Sequence, residues 1–412
     1  MDCLQANYVD LLVRTGLNLQ PGQNLYLTSE VVHAEFLAKV TDAAYRAGAA
    51  YVEVDAGNPN VGKSRIVHAP IDSLDYVPEY RRAMYREMSD GNWARMAIVG
   101  PEEPDLLRDV DQQRNAAIQR SLRNAAKPLL DACSAARLSW CLAALPTPGW
   151  GAKVFDCLAD AEAERKLWET MVPILRLDSD SPADTWKQLA AMLGRRCAAL
   201  NDAGIDTLHF KAPGTDLRVA MTPKTQWRGG AVQGDNGVPF IPNLPTEEVF
   251  TTPDCRRTEG RAAVTRPVHV MGDSVEGAWF EFREGRVVDF GAEKGADQLE
   301  AWLGMDDRGH YLGEIALVDG NSPVFQSGLI FHNILYDENA ACHFALGNGY
   351  TFGIQGGDRM SKEELQDLGV NVSILHTDFM IGSESINVTG HADGRDSVPI
   401  LRNGQFVGAF AP

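Results

Sequence analysis

The chain has 412 residues, 44% of them hydrophobic and 23% charged, which is long enough for two domains and apolar enough for a large core. Its formal net charge of -18 would repel a phosphate backbone, so nucleic acid is not an expected partner. There is no basic-then-apolar leader, no apolar run of bilayer length and no C-x-x-C among seven scattered cysteines; we therefore expect no signal peptide, membrane span, disulfide framework or structural zinc, and a reducing cytoplasm.

Residues 24–28 read as a strand after the Pro21-Gly22 turn, and residues 33–47 as an amphipathic helix stopped by Gly48. Residues 51–55 alternate as a strand, and residues 96–99 form a buried-type strand ended by Gly100-Pro101. This βαβ rhythm predicts an α/β domain with a parallel sheet over residues 1–205. It carries no G-x-G-x-x-G and no Walker loop, so no nucleotide site is expected there. The alanine-, leucine- and arginine-rich stretch over 105–204 reads as helical, broken at Pro146-Thr147-Pro148-Gly149 and at the 178–182 loop.

From residue 206 to 412 short strands take over, at 217–221, 286–290, 313–318, 370–375 and 386–389, with an Asn403-Gly404 hairpin signal near the end. We expect a mainly antiparallel α+β domain with few helices. Its chemistry lies in four segments. Glu247 and Glu248 are adjacent in a turn-rich stretch; on an extended chain they point opposite ways, so at most one can enter a site, and on its own the pair reads as an exposed acidic turn. Glu314 heads an apolar strand, where a buried carboxylate needs a pairing partner or a metal, although a strand end facing water serves as well. Residues 336–347 read as a short helix carrying Glu338, Asn339 and His343, in which His343 and Asn339 share a face better than His343 and Glu338, and in which a core histidine is the plain alternative. His376 and Asp378, two apart in strand-forming sequence, project from one face and converge on a point that suits a divalent ion, or form a surface charge pair.

Together these segments resemble the aminopeptidase T family of metallopeptidases, also called thermophilic-type aminopeptidases. The resemblance begins at residues 16–22 and runs through 214–217; it is strongest in 243–250, in 336–340 with His343, and in 375–382, and it ends at 398–404. It implies a homodimer with a C-terminal catalytic domain that holds two divalent ions and removes N-terminal residues from peptides. It implies ligation by Glu248, Glu314, His343, His376 and Asp378, with Glu338 as a further ligand or general base and Tyr350 as a catalytic tyrosine. The chemistry agrees: two metals supply a nucleophile and stabilise the tetrahedral oxyanion, several carboxylates balance their charge, and zinc, cobalt and manganese all suit such donors. Tyr350 could donate to the oxyanion, or pack beside Phe352.

Two other readings use the same residues. His343, His376 and Asp378 could form the facial triad of a mononuclear non-haem iron ring-cleaving dioxygenase, but Glu248 and Glu314 exceed what a triad with open positions needs. A catalytically silent binding protein on the same scaffold would have no need of Tyr350 and the full carboxylate set.

Overall fold

The computed structural model describes residues 2–156, 159–271, 273–392 and 394–411. The chain divides into two compact units, Met1–Gln188 with Ala231–Pro245, and Leu189–Gly230 with Thr246–Pro412. The cysteines at 133, 141, 197, 255 and 342 are free and buried; Cys157, and the side chain of Cys3, lie outside what is described.

The first unit is built on a five-stranded sheet in the order Tyr51–Gly57, Asn24–Glu30, Trp93–Val99, Trp140–Ala144, Asn243–Leu244, parallel throughout. Helix Ala34–Arg46 buries Phe36, Leu37, Val40 and Ala44, one face at three- and four-residue spacing. Strand Trp140–Ala144 departs from the mostly helical reading of 105–204. Its Trp-Cys-Leu-Ala-Ala run has no helix-breaking residue, and it becomes a strand because it hydrogen-bonds between Trp93–Val99 and Asn243–Leu244.

Antiparallel sheets dominate the second unit. Eight strands run in the order Arg286–Gly291, Trp279–Arg283, Pro253–Ala263, Thr215–Met221, Thr207–Ala212, Asn387–His391, Val398–Arg402, Gln405–Phe406. The last two join through Asn403 and Gly404, both at positive φ as a two-residue hairpin turn requires. A second sheet has four strands, Glu248–Thr251, Leu312–Val318, His343–Gly347 and His376–Met380. The two sheets share one core. Phe280 and Phe282 of the larger sheet meet Phe344 and Phe379 of the smaller at ring-centroid distances of 4.8 to 5.8 Å.

Two local readings change. Residues 336–347 are not one helix: a turn of helix Ile334–Asp337 passes into a short 3-10 turn Glu338–Ala340, and His343 opens a strand. The strand expected at 370–375 is a loop, and the strand begins at His376.

Candidate metal centre

Burying one face of the four-stranded sheet decides what the other face carries. Val249, Ile315, Leu317, Phe344, Leu346 and Phe379 enter the core. Side chains alternate, so the intervening residues share the opposite face. The register sets Glu314 opposite Ala345 and Ala345 opposite Asp378, Ala316 opposite His343, Glu248 opposite Val318, and Gly347 opposite His376. Glu248, Glu314, His343, His376 and Asp378 therefore stand on one face, and the small residues Ala316, Ala345 and Gly347 leave room between them.

A bulge immediately precedes Glu314. Leu312 pairs with Leu346 but Glu314 pairs with Ala345, so two residues face one across Gly313. Leu312 thereby joins the core while Glu314, two residues on, turns to the polar face. Only glycine fits at 313, where a Cβ would lie 2.2 Å from the Asn348 carbonyl oxygen.

The donors form two groups that share one residue. One ligand atom each from Glu248, Glu314 and His343 lie within 4.8 Å of one another, and so do those of Glu314, His376 and Asp378. The Glu314 Oε1 is 3.9 Å from His343 Nε2, and its Oε2 is 3.7 Å from His376 Nε2. His343 Nε2 is 3.3 Å from Glu248 Oε2, and His376 Nε2 is 3.5 Å from Asp378 Oδ1. Each imidazole uses Nδ1 elsewhere: His343 Nδ1 lies 3.0 Å from the Ala341 carbonyl, and His376 Nδ1 lies 2.8 Å from the Asn348 carbonyl. A carbonyl can only accept, so Nδ1 carries a proton and Nε2 faces the site, where it can bind a metal once any proton of its own has left.

The electrostatics ask for cations. Glu314 and Glu338 are both pushed well above the ordinary carboxylate range, first by burial and then by the surrounding carboxylates. Two charged carboxylates within 4.8 Å of each other, as Glu248 and Glu314 would be, repel by about 3.5 kcal/mol or more at an effective dielectric of 20. Burial works against a charged His343, yet the hydrogen bond and charge of Glu248, with Asp378, push its pKa up to about 9. Burial would raise Asp378, but the hydrogen bond and charge of His376, with the charge of His343, hold it below its usual value. Apart from its 3.3 Å approach to His343, the buried Glu248 Oε2 has no hydrogen-bond partner among the described residues. An under-satisfied carboxylate oxygen, four carboxyl groups and two imidazoles with inward Nε2 atoms fit hard or borderline divalent ions.

Glu338 belongs to neither donor group, but its charge acts on Glu314 and Tyr350. Glu247 also stays outside both groups; its N–H donates to Asn339 Oδ1 at 2.6 Å. Tyr350 follows the Gly347-Asn348-Gly349 loop, stacks on Phe352 at 4.9 Å and tilts against the His376 ring at 4.7 Å. Burial and then the site's four carboxylates push its phenol well above its ordinary value, so it stays protonated and able to donate. Sequence reasoning missed the roles of Gly313 and Asn339 and of the Ala341 and Asn348 carbonyls. Only the glycine leaves a local trace, as an interruption in an apolar strand.

Comparison with known proteins gives concordant results. Residues 2–406 match the family model for the thermophilic metalloprotease (M29) family. Aminopeptidase 2 of Geobacillus stearothermophilus is 39% identical over 399 residues, covering 97% of this chain and 96% of the relative. Aminopeptidase T of Thermus aquaticus is 36% identical over 411 residues, covering 99% and 100%. Among solved structures, wild-type AmpT from Thermus thermophilus superposes with a TM-score of 0.91 at 35% identity, covering 99% of both chains.

Proposed function

The chain belongs to the thermophilic metalloprotease (M29) family, and we propose that it removes N-terminal residues from peptides with two divalent ions held on the polar face of the four-stranded sheet. It is a metal-dependent aminopeptidase, a hydrolase of peptide bonds. The observation that carries the two-ion reading is the placement of Glu314, whose two oxygens face different histidines. Glu248, Glu314 and His343 would hold one ion; Glu314, His376 and Asp378 would hold the other. Two divalent charges also balance the four carboxylates Glu248, Glu314, Glu338 and Asp378. A mononuclear iron site leaves Glu248 without work, and the matched relatives, all named aminopeptidases, lend ring cleavage no support.

Bound ions of this kind supply Lewis acidity, lowering the pKa of water and polarising a carbonyl. The chain's own residues supply the rest. Glu338, its carboxyl pushed well above the usual carboxylate range by burial and by the charges of Glu248 and Asp378, suits a general base that takes a proton from water and returns it to the leaving amine. The Tyr350 hydroxyl donates to the oxygen that gains charge as the carbonyl becomes tetrahedral. The Ala341 and Asn348 carbonyls keep both imidazoles in one tautomer through the cycle.

In this reading the enzyme works in the cytoplasm as a homodimer, with zinc, cobalt or manganese as the ion. Among the described residues no helix is long and apolar enough to cross a membrane. The test is Glu314→Gln. It should lose both ions, because the shared carboxylate serves both groups; a Glu314→Gln protein that keeps two ions by mass spectrometry refutes the shared role.

A further inference from the structure

We propose that Asn371 is a positioning residue for the His376 half of the site, tying together the ends of three site-bearing strands; this rests on the two-ion reading above. Asn371 is fully buried in the loop before strand His376–Met380. Its Nδ2 lies within hydrogen-bond distance of three backbone carbonyls, Arg308 O at 2.7 Å, Tyr311 O at 3.2 Å and Gly347 O at 2.5 Å, which share its two protons. Arg308 and Tyr311 lead into strand Leu312–Val318, which carries Glu314, and Gly347 closes strand His343–Gly347. Three converging carbonyls repel one another unless a donor sits between them, and this amide nitrogen fills that place. Among the described residues the Oδ1 of the same side chain, which is buried, has no hydrogen-bond partner, so the side chain's hydrogen bonding goes to these strand ends.

The knot reaches His376 by a short route. The Asn371 carbonyl accepts from Gly349 N at 2.8 Å, and the Leu375 carbonyl accepts from Asn348 N at 2.7 Å. Together they fix the 347–349 loop, whose Asn348 carbonyl orients the His376 ring and whose next residue is Tyr350. Asp306 holds the same segment from the other side, its Oδ2 accepting from Ser373 Oγ at 2.6 Å and Ile374 N at 3.0 Å. His343 is oriented by the Ala341 carbonyl, at the far end of its strand. Removing the Asn371 amide therefore releases the His376 side and leaves the Glu248–His343 side in place.

The experiment loads cobalt into metal-free wild type, Asn371→Ala and Asn371→Ser, and reads stoichiometry, the visible absorption of bound cobalt, kcat and KM. Asn201→Ala is the comparator, since Asn201 also bonds backbone of this unit, at Trp227, and belongs to neither donor group. Asn371→Ala should keep one ion, bind the second at least tenfold more weakly and lose roughly a hundredfold in kcat, as an ångström-scale misplacement does, with little change in KM. The serine variant keeps one donor, secures the test if the alanine variant does not fold, and should shift in the same direction by less. Asn201→Ala should hold both ions with normal kcat. A folded Asn371 variant with two ions at wild-type affinity and normal kcat overturns the proposal, as does an equal loss in Asn201→Ala. A wild type with a single ion overturns the two-ion reading instead; the Asn371 proposal then stands only if its variants weaken that ion while Asn201→Ala does not.

Discussion

The bulge at Gly313 makes a sharp demand. A methyl group there would lie 2.2 Å from the Asn348 carbonyl oxygen, 2.5 Å from its carbon and 2.5 Å from the Gly347 oxygen. A carbon resting on a carbonyl oxygen needs about 3.3 Å, so roughly 1 Å must be found, and all three obstacles are backbone. The backbone that yields is that of Glu314 or of Asn348, the first reaching both donor groups and the second orienting His376. A misplacement on the order of 1 Å costs about a hundredfold in rate, and overpacking at such a site costs about 1–3 kcal/mol of stability. We therefore expect Gly313→Ala to lower kcat/KM on an aminoacyl chromogenic amide by about a hundredfold and to bind metal more weakly. Gly62→Ala is the control: it sits in helix Pro59–His68 with nothing within 4 Å of the added carbon, so activity should not change. Steady-state kinetics, metal content and thermal unfolding of the two variants decide the matter. A Gly313→Ala enzyme within about threefold of wild type, with full metal content, would show that the close approach at Gly313 does not hold Glu314 and Asn348 in place.

Two other expectations follow from the same geometry. Tyr350→Phe should keep metal content and fold while kcat drops by about a hundredfold and KM moves little, the pattern of a lost oxyanion donor; near-normal kcat would make Tyr350 a packing residue against Phe352. The His343 pKa is raised to about 9 in the metal-free protein, so its pairing with Glu248 stabilises fully below the unfolded value of about 6.5 and is lost as pH rises through about 9. Metal must displace that proton, so metal affinity should rise by up to about tenfold per pH unit between pH 7 and 9; calorimetric titration showing a flat or falling affinity over that range contradicts the assignment.

Some of these features are legible in local sequence. His376 and Asp378 share a strand face because side chains alternate, and that needs only neighbouring residues. The Asn403-Gly404 hairpin and the parallel character of the first domain are equally local. His343 is harder: helix-compatible residues precede it, and only pairing with strands Leu312–Val318 and His376–Met380 makes it extended. The choice of Glu248 over Glu247 follows from register against Val318. Strand Trp140–Ala144 is hidden for the same reason, since its residues suit a helix until neighbouring strands claim their hydrogen bonds. The ties through Asn339 and Asn371 span 92 and up to 63 residues of chain, and no local pattern announces them.

The central claim is that peptide hydrolysis at a free N-terminus depends on two ions sharing Glu314. The direct measurement is a zinc titration of metal-free protein at concentrations well above the dissociation constants, following release of the first residue from a free-amine peptide and from its N-acetylated copy. Metal-free protein should be inactive, activity should plateau at two equivalents per chain, and the acetylated peptide should release nothing. Full activity in the metal-free sample, a plateau at one equivalent, or equal cleavage of the acetylated copy would contradict the claim.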